Sequence, residues 1–220
     1  MLNRLRQRIF LAGLAALVLA PAAIGLGEAP SPPTAADPKA WEGLTPEQIA
    51  AVKKGEMVIL QEDQSSADQQ KRLIRCAMVF DQPIEKAWAL IGQTERQDEY
   101  LPGLDNCELV KREGNWDKVD FHVKIFFVKI DYRVKHQRDP ERYYQWWDLD
   151  PSYDNDLAHL EGYWQFYAMD DGRTLGRYGT RLVVARFIPD SVQEYLTKND
   201  LPKNLDAVRK WINSGGTWHK

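Results

Sequence analysis

The side chains best suited to move a proton near neutral pH are the histidines, because the ordinary pKa of an imidazole lies close to that range. The chain has His122, His136, His159 and His219. In a segment of alternating polar and apolar residues, His136 shares its phase with Tyr132 and Val134, so we predict that it faces the interior. His122 shares the phase of Asp120 and is predicted to face solvent. His136 is therefore the first candidate for a general base.

Glu161 is the second candidate for an acid or base. It lies in a segment where Glu161 and Tyr163 alternate with Leu160 and Trp164, and both sets are partly polar or polarisable. The alternation therefore does not decide which set faces inward. A solvated outer Glu161 and an inner Glu161 that orients a ligand both remain open, and the outer position is the commoner one for a charged side chain.

Motifs for metal, nucleotide or nucleophilic chemistry are absent from the sequence. The histidines lack the spacing of zinc ligands, and there is no P-loop, dinucleotide fingerprint or recognisable nucleophile signature. The acidic run from Asp148 to Asp156 lacks the glycine and glutamate of an EF-hand loop, so we interpret it as a polar hairpin loop. We expect no metal and no cofactor.

The two cysteines, Cys76 and Cys107, have two interpretations. In an oxidising compartment the pair forms a disulfide, worth about 3–4 kcal/mol on the chain-entropy argument. Two separate buried thiols are the alternative, because the sequence does not show that the two Cα atoms come within bonding range.

The N-terminus has the pattern of a secretory signal. Three arginines in the first eight residues precede an apolar run over 9–26, and Ala20-Pro21-Ala22 is the best A-x-A site, with cleavage predicted before Ala23. The run of about 18 residues also reaches the lower limit for a spanning helix, so an uncleaved membrane anchor is the alternative. In both cases we expect a periplasmic or secreted protein.

The rest of the chain divides by composition. We predict a signal peptide at 1–22, a disordered linker at 23–40, an N-terminal helix extension at 41–56, one folded domain at 57–214 and a tail at 215–220. The linker is rich in Pro, Ala and Ser and has no apolar period. Thr45-Pro46 followed by Gln48 is typical of a helix start.

Charge argues against a nucleic-acid partner. The signal contains three of the 29 basic residues and none of the 32 acidic ones, so the remainder carries a net charge of about −6. A nucleic-acid-binding surface is basic. We therefore expect no nucleic-acid partner.

The folded part changes its periodicity along the chain. A first core strand leads to two short helices, predicted at 84–92 and 94–100. Six segments between 107 and 187 then alternate every second residue and are separated by turn-forming residues, which predicts an antiparallel meander. The last segment, 189–212, has helical spacing with an interruption at 199–202, and one kinked helix or two successive helices fit it equally.

Several motifs follow this order of elements. They are Phe80-x-x-Pro83-x-x-x-Ala87-Trp88, Tyr132-Arg133-Val134, Leu160-x-Gly162-x-Trp164, Gly172-Arg173-Thr174-x-x-x-Tyr178 and Leu201-Pro202-x-x-Leu205-x-x-x-Arg209. Together they resemble the START-like, polyketide cyclase/dehydrase (SRPBCC) superfamily, nearest its coenzyme Q-binding START-domain branch. The resemblance covers residues 57–213.

The resemblance implies an α+β helix-grip fold. In this fold a curved antiparallel sheet of about seven strands wraps around a long C-terminal helix, with two short helices after the first core strand. It also implies an elongated cavity for a hydrophobic molecule, such as a lipid, sterol, isoprenoid, quinone or polyketide. Members range from carriers to cyclases, so the fold alone does not decide the function.

We expect large side chains to line such a cavity, although ordinary core packing explains each of them individually. The predicted cavity residues are Trp88, Tyr100, Phe121, Val123, Tyr132, Val134, Trp146, Trp164, Tyr178, Leu205 and Trp211. The apolar turn Phe126-Phe127-Val128 is interpreted as a cavity lid or as a tip that touches a membrane.

These observations favour an exported, non-catalytic protein that binds and transfers a hydrophobic small molecule or lipid, with transient membrane contact. The alternative is a cyclase/dehydrase-type enzyme that acts on a hydrophobic substrate in the same cavity, with His136 or Glu161 as general base. A third hypothesis is an interaction module whose cavity is collapsed.

Overall fold

The computed structural model describes residues 31–61, 73–125, 127–185 and 189–220. This part of the chain contains eight strands, four α-helices and two 3-10 helices, Pro38–Trp41 and Thr94–Glu99, the second of which corresponds to the short helix predicted at 94–100. The strands are β1 (Val58–Gln61), β2 (Ile74–Phe80), β3 (Leu104–Glu113), β4 (Trp116–Ile125), β5 (Val128–Asp139), β6 (Tyr144–Leu149), β7 (Leu157–Ala168) and β8 (Thr174–Val184). The helices are α1 (Pro46–Lys53), α2 (Ile84–Ile91), α3 (Asp190–Tyr195) and α4 (Leu201–Asn213). The predicted signal peptide lies outside the described residues. Within them, no helix combines the length and the apolar character needed to cross a bilayer.

All eight strands belong to one antiparallel sheet, in the order β1-β2-β8-β7-β6-β5-β4-β3. Strands β3 to β8 form the predicted meander, and the sheet with its C-terminal helix confirms the α+β helix-grip fold. The sheet has one strand more than the predicted seven or so, because β1 pairs with β2 at the edge, where Val58 stands opposite Ala77.

The two faces of the sheet follow from the alternation of each strand. We call the face that packs against α4 the inner face. On β2 it carries Cys76, Met78 and Phe80, while Ala77 and Val79 belong to the outer face. Strands β4 and β5 pair in register from Trp116 opposite Gln137 to Ile125 opposite Val128, so every inward residue of one strand faces an inward residue of the other.

The C-terminal segment consists of α3 and α4 joined by a π-helical turn, Leu196–Asp200. The backbone stays helical from Asp190 to Asn213, so the segment corresponds to one helix with an irregular turn inside it rather than to two separated helices. Pro202 is the second residue of α4, and its missing N–H removes one backbone donor directly after the π-helical turn. Leu205, Val208 and Trp211 then lie on one side of α4 and pack into the inner-face core.

The last part of the predicted disordered linker is held against the outer face. Ala35 donates a backbone hydrogen bond to Ala168 at 2.8 Å, and the indole of Trp41 donates to the carbonyl of Ala35 at 2.8 Å. Arg177 donates to the carbonyl of Ala40, which is fully buried. Residues 31–40 therefore differ from the prediction, because backbone pairing and a buried arginine order a segment whose composition alone suggested a tether.

Of the two interpretations of the cysteines, the disulfide is wrong in this structure and the alternative of two separate thiols is observed, because both cysteines are free and buried. Cys76 lies on β2 and Cys107 on β3, which are separated by five strands in the sheet. Cys107 Sγ instead donates to the carbonyl of Glu95 at 3.2 Å. Burial raises the pKa of both thiols to about 12, so neither is a reactive thiolate at neutral pH.

Candidate functional site

A cavity of about 750 Å³ lies between the inner face of the sheet and the C-terminal helical segment. Strands β4 to β8 supply most of one wall, and the π-helical turn and α4 supply the other. Most of the lining side chains are apolar. Small-molecule pockets commonly measure roughly 300–1,000 Å³ and are mostly apolar with a few polar groups, so the size and character suit a hydrophobic ligand.

Eight of the predicted cavity residues line this cavity. They are Tyr100, Phe121, Val123, Tyr132, Val134, Trp164, Tyr178 and Leu205. Strand pairing brings them together, because residues directly opposite in the register share a face. Phe121 stands opposite Tyr132 with the two rings stacked at 5.3 Å, and Trp164 stands opposite Tyr178 with ring centroids 4.8 Å apart. Their contact with a ligand stays a prediction.

Trp146 does not line the cavity, and its neighbour Trp147 does. Trp146 pairs with Tyr163 on the outer face and stacks on Tyr144 at 5.5 Å. Trp147 instead lies across Gly162, where an added Cβ would come within 2.3 Å of the indole ring. The prediction chose the wrong one of two adjacent tryptophans, since β6 presents aromatic residues to both faces.

Trp88 and Trp211 also lie outside the cavity. Trp88 packs edge-on against Tyr143 at 5.7 Å and against Phe166 at 6.2 Å. Trp211 is fully buried and stacks on Tyr100 at 4.8 Å. Both tryptophans belong to the core under α2 and α4, where the inner face is filled and leaves no space for a ligand.

His136 is the polar centre of the sheet wall. It lines the cavity, is 4% exposed, and stands directly opposite Asp117 on β4. Its Nδ1 lies 2.9 Å from Asp117 Oδ1. The other carboxylate oxygen of Asp117 accepts hydrogen bonds from Thr94 at 3.0 Å, from Arg112 at 3.2 Å and from Arg138. These partners hold the Asp117 carboxylate in one orientation, and its hydrogen bond to Nδ1 holds the imidazole ring of His136 in one orientation.

The charges of this cluster define the histidine tautomer. Burial works to raise the pKa of Asp117, but the hydrogen bonds and charges of His136 and Arg138 outweigh it and hold the pKa well below its usual range. Burial lowers the pKa of His136, against the opposing effect of Asp117. An ionised carboxylate only accepts, so the proton of a neutral imidazole sits on Nδ1. Nε2 therefore carries a lone pair.

Gln145 is a second polar group on the same wall. It lines the cavity and is 2% exposed, and its Oε1 has no hydrogen-bond partner among the described residues. Gln145 stands opposite Trp164 on β7, which places it on the inner face. Sequence reasoning missed both Gln145 and Asp117. The signal was present for Asp117, which shares the inward phase of Val119 and Phe121.

Asp200 and Asn204 form a polar group on the helix wall. Asn204 Nδ2 donates to Asp200 Oδ2 at 2.8 Å, and Asn204 Oδ1 has no partner in the described part of the chain. Burial raises the pKa of Asp200, although the hydrogen bond from Asn204 acts in the opposite direction. Gly103 allows the neighbouring loop to approach, since an added Cβ there would lie 3.2 Å from Asp200 Oδ1.

Glu161 is on the outer face, so its candidacy as a catalytic base is wrong in this structure. Its neighbour Leu160 lines the cavity, and successive side chains of a strand point to opposite faces. Glu161 pairs instead with Arg181 at 3.3 Å and with His159 at 3.4 Å. Across the described ranges, no group of three or more potential metal ligands comes together.

Solved structures show the same fold at low sequence identity. The STAR-related lipid transfer protein from Xanthomonas axonopodis is 10% identical, with a TM-score of 0.58 over 71% of this chain and 93% of that chain. The Zhui aromatase/cyclase from Streptomyces sp. R1128 is 13% identical, with a TM-score of 0.55 over 71% and 94% of the two chains. A START superfamily protein from Mycobacterium smegmatis is 12% identical, with a TM-score of 0.54 over 64% and 97%.

Comparison of the sequence itself gives a more specific result. No curated protein matches the chain. The model of the family described as polyketide cyclase / dehydrase and lipid transport matches residues 81–208, which contain α2, the meander and most of α4. Because that match covers more than half of the 220 residues, the chain belongs to the polyketide cyclase/dehydrase and lipid transport family.

Proposed function

We propose that the protein binds a hydrophobic small molecule or lipid in its inner cavity and carries it between membranes outside the cytoplasm. The observation that carries this proposal is the cavity of about 750 Å³ with mostly apolar walls. A well-packed core leaves few voids larger than a water molecule, so a space of this size is a binding site rather than a packing defect.

The predicted export signal supports the transfer role. A predicted signal precedes the domain, and a lipid that crosses an aqueous compartment needs a protein to cover its apolar surface. Among proteins of the same fold, one is a STAR-related lipid transfer protein and another is an aromatase/cyclase. The fold is therefore compatible with both carriers and enzymes, and the choice depends on the cavity.

A membrane contact fits the turn between β4 and β5. Phe127 in that turn is 98% exposed, and it is flanked by Lys124 and Lys129, which stand opposite each other and are exposed. An exposed ring between two cations suits the interface of an anionic bilayer. The hairpin end carrying Ile125 and Ile130 packs in the same cluster as Val192 of α3, so the turn lies close to the helical wall of the cavity.

The first test is native mass spectrometry of the full chain, followed by solvent extraction of any bound molecule. Val134→Trp fills the cavity, since Val134 lines it, and should abolish the bound mass. Val110→Trp is the matched control, because Val110 is 45% exposed on β3. A clean unliganded mass that persists after incubation with lipid vesicles would overturn the proposal.

The second candidate function is an enzyme of the cyclase/dehydrase type, favoured by one observation. His136 faces the cavity with its Nδ1 bound to an ionised Asp117, which is the arrangement of an oriented general base. The extracted molecule separates the two functions. A carrier returns it with unchanged mass after prolonged incubation, whereas an enzyme converts it and His136→Ala stops the conversion.

A further inference from the structure

We propose that the ligand carries a neutral hydroxyl group, alcoholic or phenolic, which donates a hydrogen bond to His136 Nε2 beside Gln145. This inference rests on the proposed function and specifies the ligand class for the same cavity. It separates hydroxylated ligands from hydrocarbons and ethers of the same shape, and from ligands whose only polar atoms are acceptors.

The first step is the fixed orientation of the imidazole. His136 Nδ1 is held by Asp117, and Asp117 is itself held by Thr94, Arg112 and Arg138. Rotation of the ring would break the only hydrogen bond that His136 makes in the described part of the chain and would leave a buried carboxylate oxygen short of a donor. Nε2 is therefore the atom that His136 offers to the cavity.

The second step is the chemistry of what Nε2 accepts. A neutral imidazole with its proton on Nδ1 presents a lone pair at Nε2, so the partner must supply an N–H or O–H group. Nε2 has no protein partner within the described residues. A polar atom in an apolar cavity costs free energy when it is left unpaired, so a ligand donor at this point adds affinity and selectivity.

The third step is Gln145, which lines the cavity, is 2% exposed and carries a side-chain NH2 group that can donate. His136 stands opposite Trp147, and Gln145 lies two residues from Trp147 on the same face of β6. Such diagonal neighbours lie about 7–8 Å apart between Cα atoms, and long side chains reach across that gap. A hydroxyl group has a single proton, which it donates to Nε2, and its oxygen can still accept a hydrogen bond from the side-chain NH2 group of Gln145.

The fourth step excludes an anionic headgroup at this point. Arg112 and Arg138 are the cations of the cluster, but both bind Asp117 and neither lines the cavity. Lys198 does line the cavity, but it belongs to the helical wall and is paired there with Glu194 at 2.6 Å. A carboxylate or phosphate beside His136 would be repelled by the lone pair of Nε2 and by the negative charge of Asp117, which lies on the other side of the imidazole ring. A neutral donor fits where an anion is repelled.

The test compares ligands that differ only at the hydroxyl. Binding of 4-nonylphenol, 4-nonylanisole and nonylbenzene to the full chain is followed by quenching of tryptophan fluorescence, since Trp147 and Trp164 line the cavity. We expect the phenol to bind roughly 5- to 30-fold more tightly than the ether, the range expected for one hydrogen bond to a buried polar group. His136→Phe should bring the ratio of the phenol affinity to the ether affinity close to one.

The chain offers a matched control for this variant. His122 and Asp131 form a second histidine–aspartate pair across β4 and β5, at 2.8 Å, but His122 is on the outer face. His122→Phe should leave the ratio unchanged. Gln145→Leu, which removes no hydrogen bond within the described chain, should lower the ratio even if His136→Phe fails to fold.

The outcomes separate the inference from the proposed function. Equal binding of the three probes, or a ratio that survives both His136→Phe and Gln145→Leu, overturns the hydroxyl inference and leaves a hydrophobic carrier. No binding of any probe, together with a clean unliganded mass, overturns both.

Discussion

Asp117 on β4 stands directly opposite His136 on β5, and its Oδ1 lies 2.9 Å from the imidazole Nδ1. The carboxylate is fully buried, whereas the similar pair of His122 and Asp131 on the outer face is about half exposed. The same two strands therefore carry two copies of one interaction in two environments. Burial makes the inner pair structurally important, and the cavity makes it chemically available.

Asp117→Asn should destabilise the protein by about 3–5 kcal/mol, because it removes one partner from a buried cluster and leaves Arg138 without its counter-charge. Urea denaturation followed by fluorescence measures the change. Asp131→Asn is the control and should lower the free energy of unfolding by at most about 1 kcal/mol, as expected for an exposed pair. Equal costs for the two variants would show that burial does not determine the importance of the pair.

Acid should weaken the fold in two stages. The folded-state pKa of His136 is lowered by burial from 6.5, so the unfolded chain binds a proton first and stability falls as pH drops below that value. The pKa of Asp117 is lowered from 3.8, so its contribution is present above that pH and is lost as pH falls further. The maximum slope for one group is about 1.4 kcal/mol per pH unit.

The histidine stage can be isolated with His136→Phe. Urea midpoints measured between pH 8 and pH 5 should fall less steeply on acidification in the variant than in the wild type. If the urea midpoints of the variant and the wild type fall with pH at the same slope, the pKa of His136 is not lowered in the folded protein. His122→Phe provides the comparison for loss of a histidine from the same pair of strands.

The reactivity of the two cysteines tests whether Cys76 and Cys107 are free thiols, as the structure shows, or form a disulfide. Because both thiols are buried with a pKa raised to about 12, neither should react with a disulfide reagent such as DTNB in the native protein at pH 8. Both should react once the protein is unfolded without reductant. If the unfolded protein has no free thiol and its mobility in a denaturing gel changes on reduction, Cys76 and Cys107 are instead bonded to each other.

Several features of the site could be predicted from sequence because they depend on local alternation. The inward position of His136 follows from the clean pattern of Tyr132 and Val134 along β5. In β6 the pattern is uninformative, since Trp146 and Trp147 are adjacent and both faces bear aromatic rings. Burial of an acid such as Asp117 depends on non-local partners, and a single sequence does not show which arginine reaches it.

The ordered N-terminal segment has a similar explanation. Residues 31–40 have the composition of a linker, yet Arg177 on β8 binds the carbonyls of Ala40 and Glu42 at 2.6 and 2.7 Å. These contacts join positions more than a hundred residues apart, through backbone atoms that every residue type has. Local composition therefore carries no signal for them.

Gly162→Ala should reshape the cavity wall. An added Cβ would lie 2.3 Å from the Trp147 ring and 2.7 Å from the carbonyl of Gly179, so the indole must move. We expect a loss of about 1–3 kcal/mol in stability, as for other overpacked cores, and weaker ligand binding because Trp147 lines the cavity. Gly92→Ala is the control, since its nearest contact is an ordinary 3.4 Å.

Phe127→Ser should weaken binding to anionic vesicles without changing affinity for a soluble ligand. Phe127 is 98% exposed and is absent from the cavity lining, so its removal affects only a surface contact. Burying one such ring in a bilayer interface is worth roughly 1.5–3 kcal/mol, which predicts about a tenfold or larger loss in vesicle partitioning. Co-sedimentation with vesicles of phosphatidylcholine and phosphatidylglycerol measures it.

The control for this variant is Leu109→Ser, which removes another exposed apolar side chain, 41% exposed on β3, away from the β4–β5 turn. It should leave vesicle binding unchanged. Salt should weaken the wild-type interaction, because Lys124 and Lys129 flank the turn and their attraction to anionic headgroups is screened. If Phe127→Ser and Leu109→Ser bind vesicles equally well and salt has no effect, the turn is not a membrane contact and ligand exchange proceeds through another surface.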